Sequence, residues 1–223
     1  METNESVNRD SYFLEMKRVL QGFQQARING TYDDLKENPE FAKIGDFFFN
    51  KLYAPEDFEF RDAGIKTLHK YLRGMVYSGM VSAVGMVIEL HELSDRLDEA
   101  MVEKMIEKGM TPDFDMPQYQ EIYRLLDNYD ERVYQIDLAV RTTHAFHRLS
   151  KMWIVAVSLK TVRAASHLMG IGKIMDFVHE GYVGFKVIDN IDFFSETIRT
   201  RELAWHNEIW KGHRGEDMEK EGA

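Results

Sequence analysis

MPQYQEIYRLLDNYDERVYQIDLAVRTTHAFHRL, residues 116–149, decides the fold. Within it Tyr119, Ile122, Leu126, Tyr129, Val133, Ile136, Val140, Thr143 and His147 recur at alternating spacings of three and four. That spacing stacks side chains on one face of an α-helix. Asp115 is placed to cap its start and Pro117 to occupy its first turn, where a missing N–H costs nothing.

Upstream, a second amphipathic segment runs from about Met75 to Lys108. Its stripe is Leu90, Leu93, Leu97, Met101 and Met105, and Gly109 ends it. Pro39 opens a helix carrying Phe47, Phe48, Phe49, Leu52 and Tyr53, and Pro55 breaks it. Pro112 and Pro117 bracket the loop between the two long helices. Downstream, Gly170 and Gly172 separate one helix from the next, Lys173 to about Ile188. Asp189-Asn190 then caps a last helix ending near Trp210-Lys211. No window alternates with period two between hairpin turns. The pattern predicts one all-α domain over 1–223, a multi-helix bundle of about seven or eight helices. It is built around two long antiparallel helices near 75–108 and 117–148, with frayed polar ends at 1–8 and 212–223.

Composition narrows the function classes. The 223 residues are 44% hydrophobic and 30% charged, with a net charge of −10 and no cysteine. Disulfides, thiolate nucleophiles, Fe–S clusters and cysteine-based zinc sites are excluded together. An acidic surface repels phosphate, which argues against general nucleic-acid binding. Met1-Glu-Thr-Asn-Glu carries neither a basic nor an apolar leader region. The charge-free run between Arg73 and Glu89, which contains Gly74, Ser78, Gly79, Ser82 and Gly85, falls short of the roughly 18 predominantly apolar residues of a bilayer span and reads as a buried core helix. The expectation is a soluble, cytoplasmic protein.

Charge is segregated, however. From Leu138 to Met175 there is no Asp or Glu, while Arg141, Arg148, Lys151, Lys160, Arg163 and Lys173 fall there together with His144, His147 and His167. Such a stretch, 141–173, suits a protein partner or an anionic amphipathic ligand, or else compensates acidic helices within the bundle. Known catalytic motifs fail on spacing. His91-Glu92-Leu93-Ser94-Asp95 has Asp where a zinc-protease helix needs its second histidine. Gly170-Ile-Gly-Lys173 is too short for a phosphate loop, and no Gly-x-Ser-x-Gly elbow occurs. Glu89, Asp137, His144, Asp176, His179 and Glu202 could supply a carboxylate–histidine iron site of the kind built inside helix bundles, with Glu89 pointing to the core. Phe47, Phe48, Phe49, Met75, Met80 and Met86 could line an adaptable apolar pocket.

The leading expectation is a non-catalytic binding or adaptor protein that needs no cofactor. The alternatives are a di-iron type oxidoreductase, the one case calling for iron, and a homo-oligomeric structural protein packing aromatic faces such as Trp205 and Trp210 between subunits.

Several blocks also fit a known pattern. They are Phe48-Phe49-x-x-Leu52-Tyr53-x-Pro55-x-Asp57-Phe58 with Arg61-Asp62, then Glu89-Leu-x-x-Leu93-Ser94-x-x-Leu97-Asp98, then Gln135-Ile136-Asp137. The pattern continues in Phe177-x-x-x-Gly181-Tyr182-x-x-Phe185 and Thr197-Ile198-x-x-Arg201-Glu202. Over roughly residues 45–205 the chain resembles an uncharacterised group of bacterial helical proteins, departing from it at His91 and His147, where that pattern has Asp. The resemblance implies a shared helical fold and brings no assigned activity. Its polar positions, Arg61, Asp62, Glu89, Ser94, Asp98, Gln135, Asp137, Arg201 and Glu202, fall beside apolar stripes. A buried charge must be paired, so they are predicted to form a buried network in which Arg61 and Arg201 bridge carboxylates from different helices.

Overall fold

In the computed structural model, which describes residues 4–52, 78–152, 155–156, 159–160 and 172–220, eight α-helices follow one another with no strand among the described residues. They are α1 (Asn4–Thr31), α2 (Asp33–Glu37), α3 (Ala42–Gly45), α4 (Ser78–Glu107), α5 (Met116–Leu125), α6 (Tyr129–Ser150), α7 (Gly172–Lys186) and α8 (Ile191–Lys220). A π-helical turn, Asp46–Leu52, continues α3. The expected break at Pro55 and the motif residues from Tyr53 to Asp62 lie outside the described residues.

The corner between α4 and α5 forms as its residues dictate. Gly109 takes φ +70°, which a side chain resists. Gly109 N then bonds Ile106 O at 3.0 Å and Met110 N bonds Met105 O at 2.9 Å, the paired closure of a helix C-terminus. Asp115 then accepts from Gln118 N at 3.0 Å while Gln118 Oε1 accepts from Asp115 N at 2.9 Å, with Pro117 in the first turn. At the last corner Asn190 Oδ1 accepts from Phe193 N at 3.0 Å and starts α8.

The expected helix at 117–148 is interrupted. Asp127 adopts φ 48°, a left-handed conformation that Asp tolerates better than most residues, and Asn128 starts a new helix. The apolar stripe runs on through the break, Leu126 and Tyr129 both packing against the same core as Ile122, so periodicity alone conceals it. At the ends the helices extend further than polar composition predicts: α1 begins at Asn4 and α8 continues to Lys220. Glu216, Met218, Glu219 and Lys220 are strong helix formers, and propensity prevails there over polarity.

Four long helices, α1, α4, α6 and α8, make the bundle. Cross-helix pairs fix their directions: Lys17–Glu99 and Tyr12–Met110 join α1 to the end of α4, Arg96–Glu131 and Ser94–Gln135 join α4 to α6, Asp137–Arg199 and His144–Ser195 join α6 to α8, and Arg27–Glu202 joins α8 to α1. In each seam one residue number rises as the other falls, so neighbours are antiparallel. Met16, Leu20, Met101, Met105, Ile122 and Ile209 fill one end of the core.

An aromatic cluster fills the other end. The three consecutive phenylalanines point in different directions round their π-helical turn, so each meets a different neighbour. Phe49 stacks on Tyr32 at 4.7 Å, Phe48 meets Phe185 and Phe194, and Phe47 meets Phe177 at 4.8 Å. At Gly181 a Cβ would stand 2.8 Å from the Phe47 ring, so only glycine lets that ring lie on α7. These rings are core, buried against one another in one cluster. The side chains of Met75 and Met80 lie outside the described set.

Candidate functional site

The polar motif residues are built into the seams between helices. On the α4–α6 seam, Tyr134 Oη donates to Glu89 Oε1. Gln135 Nε2 donates to Ser94 Oγ at 2.8 Å, and that hydroxyl donates to Leu90 O at 2.7 Å. On the α1–α4 seam, Gln24 Nε2 and Gln21 Nε2 donate to Asp98 at 3.0 and 3.4 Å. Arg199 Nη2 donates to Asp137 at 3.1 Å between α8 and α6. Arg27 holds Glu202 with two bonds of 2.9 and 2.8 Å, and Tyr32 Oη adds a third at 2.8 Å. Arg201 clamps Asp34 of α2 with two 2.7 Å bonds and donates a third of 2.7 Å to Thr31 O. Each described member of the motif set therefore bonds a residue of another helix. Arg61 and Asp62 lie outside the described residues.

Glu89 does not point to the core; it is exposed. A spacing of four advances about 40° per step round a helix, so Glu89 lies two steps away from the fully buried Leu97, and its bond to Tyr134 is a surface one.

Asp98 sits deepest. Burial pushes its carboxyl above the usual carboxylate range, against the opposing pull of Gln24, Arg132, Gln21 and Lys17. Arg132, 4% exposed, lays its guanidinium 4.6 Å from the centre of the Tyr123 ring, and Tyr123 Oη shares a 3.0 Å hydrogen bond with His206 Nδ1. Burial also raises the Tyr119 and Tyr123 phenols above their ordinary range. Nε and Nη2 of Arg132 meet no acceptor among the described residues.

A stability consequence follows for Asp98. With a folded value above 3.8, the native state holds a proton that the unfolded chain releases first. This group therefore contributes most below about pH 3.8, and its contribution falls as pH rises through the raised folded value. Asp98→Asn retains an oxygen for Gln24, and Gln21 can turn its amide to accept. Urea unfolding of both proteins from pH 4 to 7 should show the wild type losing ground steadily to Asp98→Asn as pH rises. A constant gap would mean that Asp98 titrates in the fold as it does in the unfolded chain.

The six residues expected for an iron site are not brought together. Glu89 is on Tyr134, Asp137 on Arg199, and Glu202 on Arg27. His144 Nε2 shares a 2.8 Å bond with Ser195 Oγ, and His179 and Asp176 are on α7, where the His179 ring centre lies 6.5 Å from that of Tyr182. Among the described residues, no group of three His, Asp or Glu side chains is placed to hold one metal ion.

The acid-free stretch divides into spent and exposed cations. Lys151 Nζ donates to Ile188 O at 2.7 Å and Lys186 O at 3.0 Å, closing the C-terminal carbonyls of α7. Arg141 stands 3.6 Å from Asp137 with half its side chain exposed. Arg148, Lys160 and Lys173 are exposed, and Arg163 lies outside the described residues. Trp210, expected at a subunit face, is buried against Tyr129 and His206, and Trp205 packs on Tyr123 under the Arg27 guanidinium.

Sequence reasoning missed Gln21, Gln24, Arg27 and Arg132. Arg132 had a signal: it falls three residues after Tyr129 and four before Ile136, a position on the inward face.

No described helix is long and apolar enough to cross a membrane. No curated protein and no solved structure matches the chain. The family model described as a domain of unknown function, DUF8198, matches residues 4–216, nearly the whole chain, and the chain belongs to that family, an uncharacterised one with no assigned activity.

Proposed function

We propose that this chain is a non-catalytic binding or adaptor protein that docks an acidic partner on the basic stretch 141–173. One observation carries the reading. The described polar motif residues are bonded between helices of the bundle, whereas Arg148 and Lys160 face solvent in an interval without a carboxylate, alongside the half-exposed Arg141. Exposed cations such as Arg148 and Lys160, with no acid near them in the chain, favour the approach of negative charge and fix its register, which is what an adaptor surface needs. The buried Asp98, Arg132 and His206 act in this reading as a polar lock on helix register.

Carbodiimide coupling, which joins a lysine amine to a carboxylate in direct contact, tests it in native extract. Lys160 is expected to couple to Asp or Glu of another polypeptide. Arg141→Glu/Arg148→Glu should cut that yield at least about tenfold, the effect of roughly 1.4 kcal/mol. Coupling confined to carboxylates of the same molecule would overturn the reading.

A further inference from the structure

The basic stretch shares its face with an acidic one, and the two are ordered along the bundle. On α6, Tyr134, Arg141 and Arg148 recur every seven residues and all three are exposed, so they form one solvent-facing line. Antiparallel to it on α4 runs Ser82, Glu89 and Arg96, also seven apart and exposed, with Glu89 bonded to Tyr134 and Arg96 to Glu131 at 2.8 Å. At one end the seam opens into a groove of about 560 Å³ lined by Glu89, Glu92, Arg96, Asp130, Glu131 and Tyr134: four carboxylates and one guanidinium. Towards the other end lie Arg141 and Arg148, opposite a part of α4 (78–88) that carries no charge. There α4 presents the exposed Ser82 and also Gly85, whose absent Cβ would meet no atom within 4 Å. Glu131 and Arg148 are separated by seventeen residues of helix, about 25 Å at 1.5 Å per residue.

We infer that this α4–α6 face is the contact between two copies of the chain, laid antiparallel about a two-fold axis. The inference rests on the proposed binding role of the basic stretch and names its partner. Rotation by two-fold symmetry brings Arg141 and Arg148 of each copy onto the acidic groove of the other, so every favourable pairing is made twice. A foreign acidic protein would satisfy the arginines alone and would leave the carboxylates of the groove facing its own. The uncharged part of α4 beside the two arginines, with Ser82 and Gly85 on its surface, leaves room there for the other copy to approach. The net charge of −10 on each copy opposes association, but salt at physiological strength screens charges more than about 8 Å apart, so the pairs in contact decide the outcome.

Charge reversal in two halves tests this. Sedimentation velocity over a concentration series should show the wild type as a dimer. Arg141→Glu/Arg148→Glu puts carboxylates at both ends of the face, and Asp130→Lys/Glu131→Lys reverses the sign of the groove's net charge. Each should weaken self-association at least about tenfold. Mixed one to one, the two variants should recover the wild-type dimer, which also shows that both are folded. A monomeric wild type, or a mixture that stays monomeric, overturns the inference. If the wild type is monomeric while Lys160 still couples to carboxylates of a different protein, the inference falls and the adaptor reading stands. If Lys160 couples to nothing outside its own molecule, both fall.

Discussion

Glu202→Gln should lower the unfolding free energy by about 3 kcal/mol, among the larger losses open to a single polar substitution in this chain. Glu202 and Arg27 meet through two bonds of 2.9 and 2.8 Å, with only 16% and 14% of their side chains exposed. The acid also accepts the Tyr32 hydroxyl, and the guanidinium lies 4.3 Å from the centre of the Trp205 ring. The glutamine is almost the same shape, so packing is retained and what is lost is the charge that compensates a buried guanidinium. The carboxylate outweighs burial at Arg27, holding that group above its ordinary value. Breaking the pair from one side therefore costs more than removing it. Arg27→Met/Glu202→Leu should recover most of the stability lost by Glu202→Gln, because neither member is then left unpaired. Urea denaturation of the wild type, Glu202→Gln, the single variants Arg27→Met and Glu202→Leu, and the double variant checks this. Additive losses would mean that the two residues act separately.

The same pair shows why sequence exposes one side of a seam more readily than the other. Glu202 and Arg201 stand in a recognisable motif, and Arg201 reaches a carboxylate of a different helix, Asp34 of α2, at the surface and not in the buried network expected of it. Asp34 is held below the usual carboxylate range by that guanidinium. The partners on α1 were invisible. Period counting detects a helix face by hydrophobic contrast, and α1 has almost none, because Gln21, Gln24 and Arg27 belong to its inward side. A polar residue that faces the core to bond another polar residue erases the pattern by which a core face is recognised.

Where contrast is strong, the fold was legible. The Leu97–Met101–Met105 stripe is buried as expected, and the glycine, aspartate and asparagine that end and begin helices do so at Gly109, Asp115 and Asn190. The errors have a common source. Stripes record which way residues face and carry no information on whether the backbone is continuous, so the break at Asp127 passed unnoticed. Nor do they record how deep a position lies, so Glu89 was placed inside and Trp210 outside. For the candidate site the position is similar. The acid-free interval is plain in the sequence, but which of its cations are already spent depends on contacts with α7 and α8, such as Lys151 on Ile188 O and His144 on Ser195, that only the assembled bundle creates.

Phe194→Ala should cost about 3–5 kcal/mol, and its effect should be uneven across the molecule. Phe194 is fully buried, with its ring centre 5.5 Å from that of Phe41 and 6.0 Å from that of Phe48. It ties α8 to the short-helix region that leads from α2 through the π-helical turn. Beyond the Arg201 clamp on Asp34, that region depends on packing, since α2 and α3 are five and four residues long and helices of that length do not stand alone. Packing order comes from the aromatic cluster, of which Phe41 and Phe48 would line the void left by the ring. The opposite end of the bundle, around Met101, Met105 and Ile122, shares no residue with that cluster. Hydrogen exchange should therefore rise first in residues 33–49 while α4 and α5 keep their protection. Phe194→Leu, which refills most of the volume, should restore more than half of the lost stability. Uniformly faster exchange along the whole chain would instead mean that the two ends of the bundle unfold as one cooperative unit.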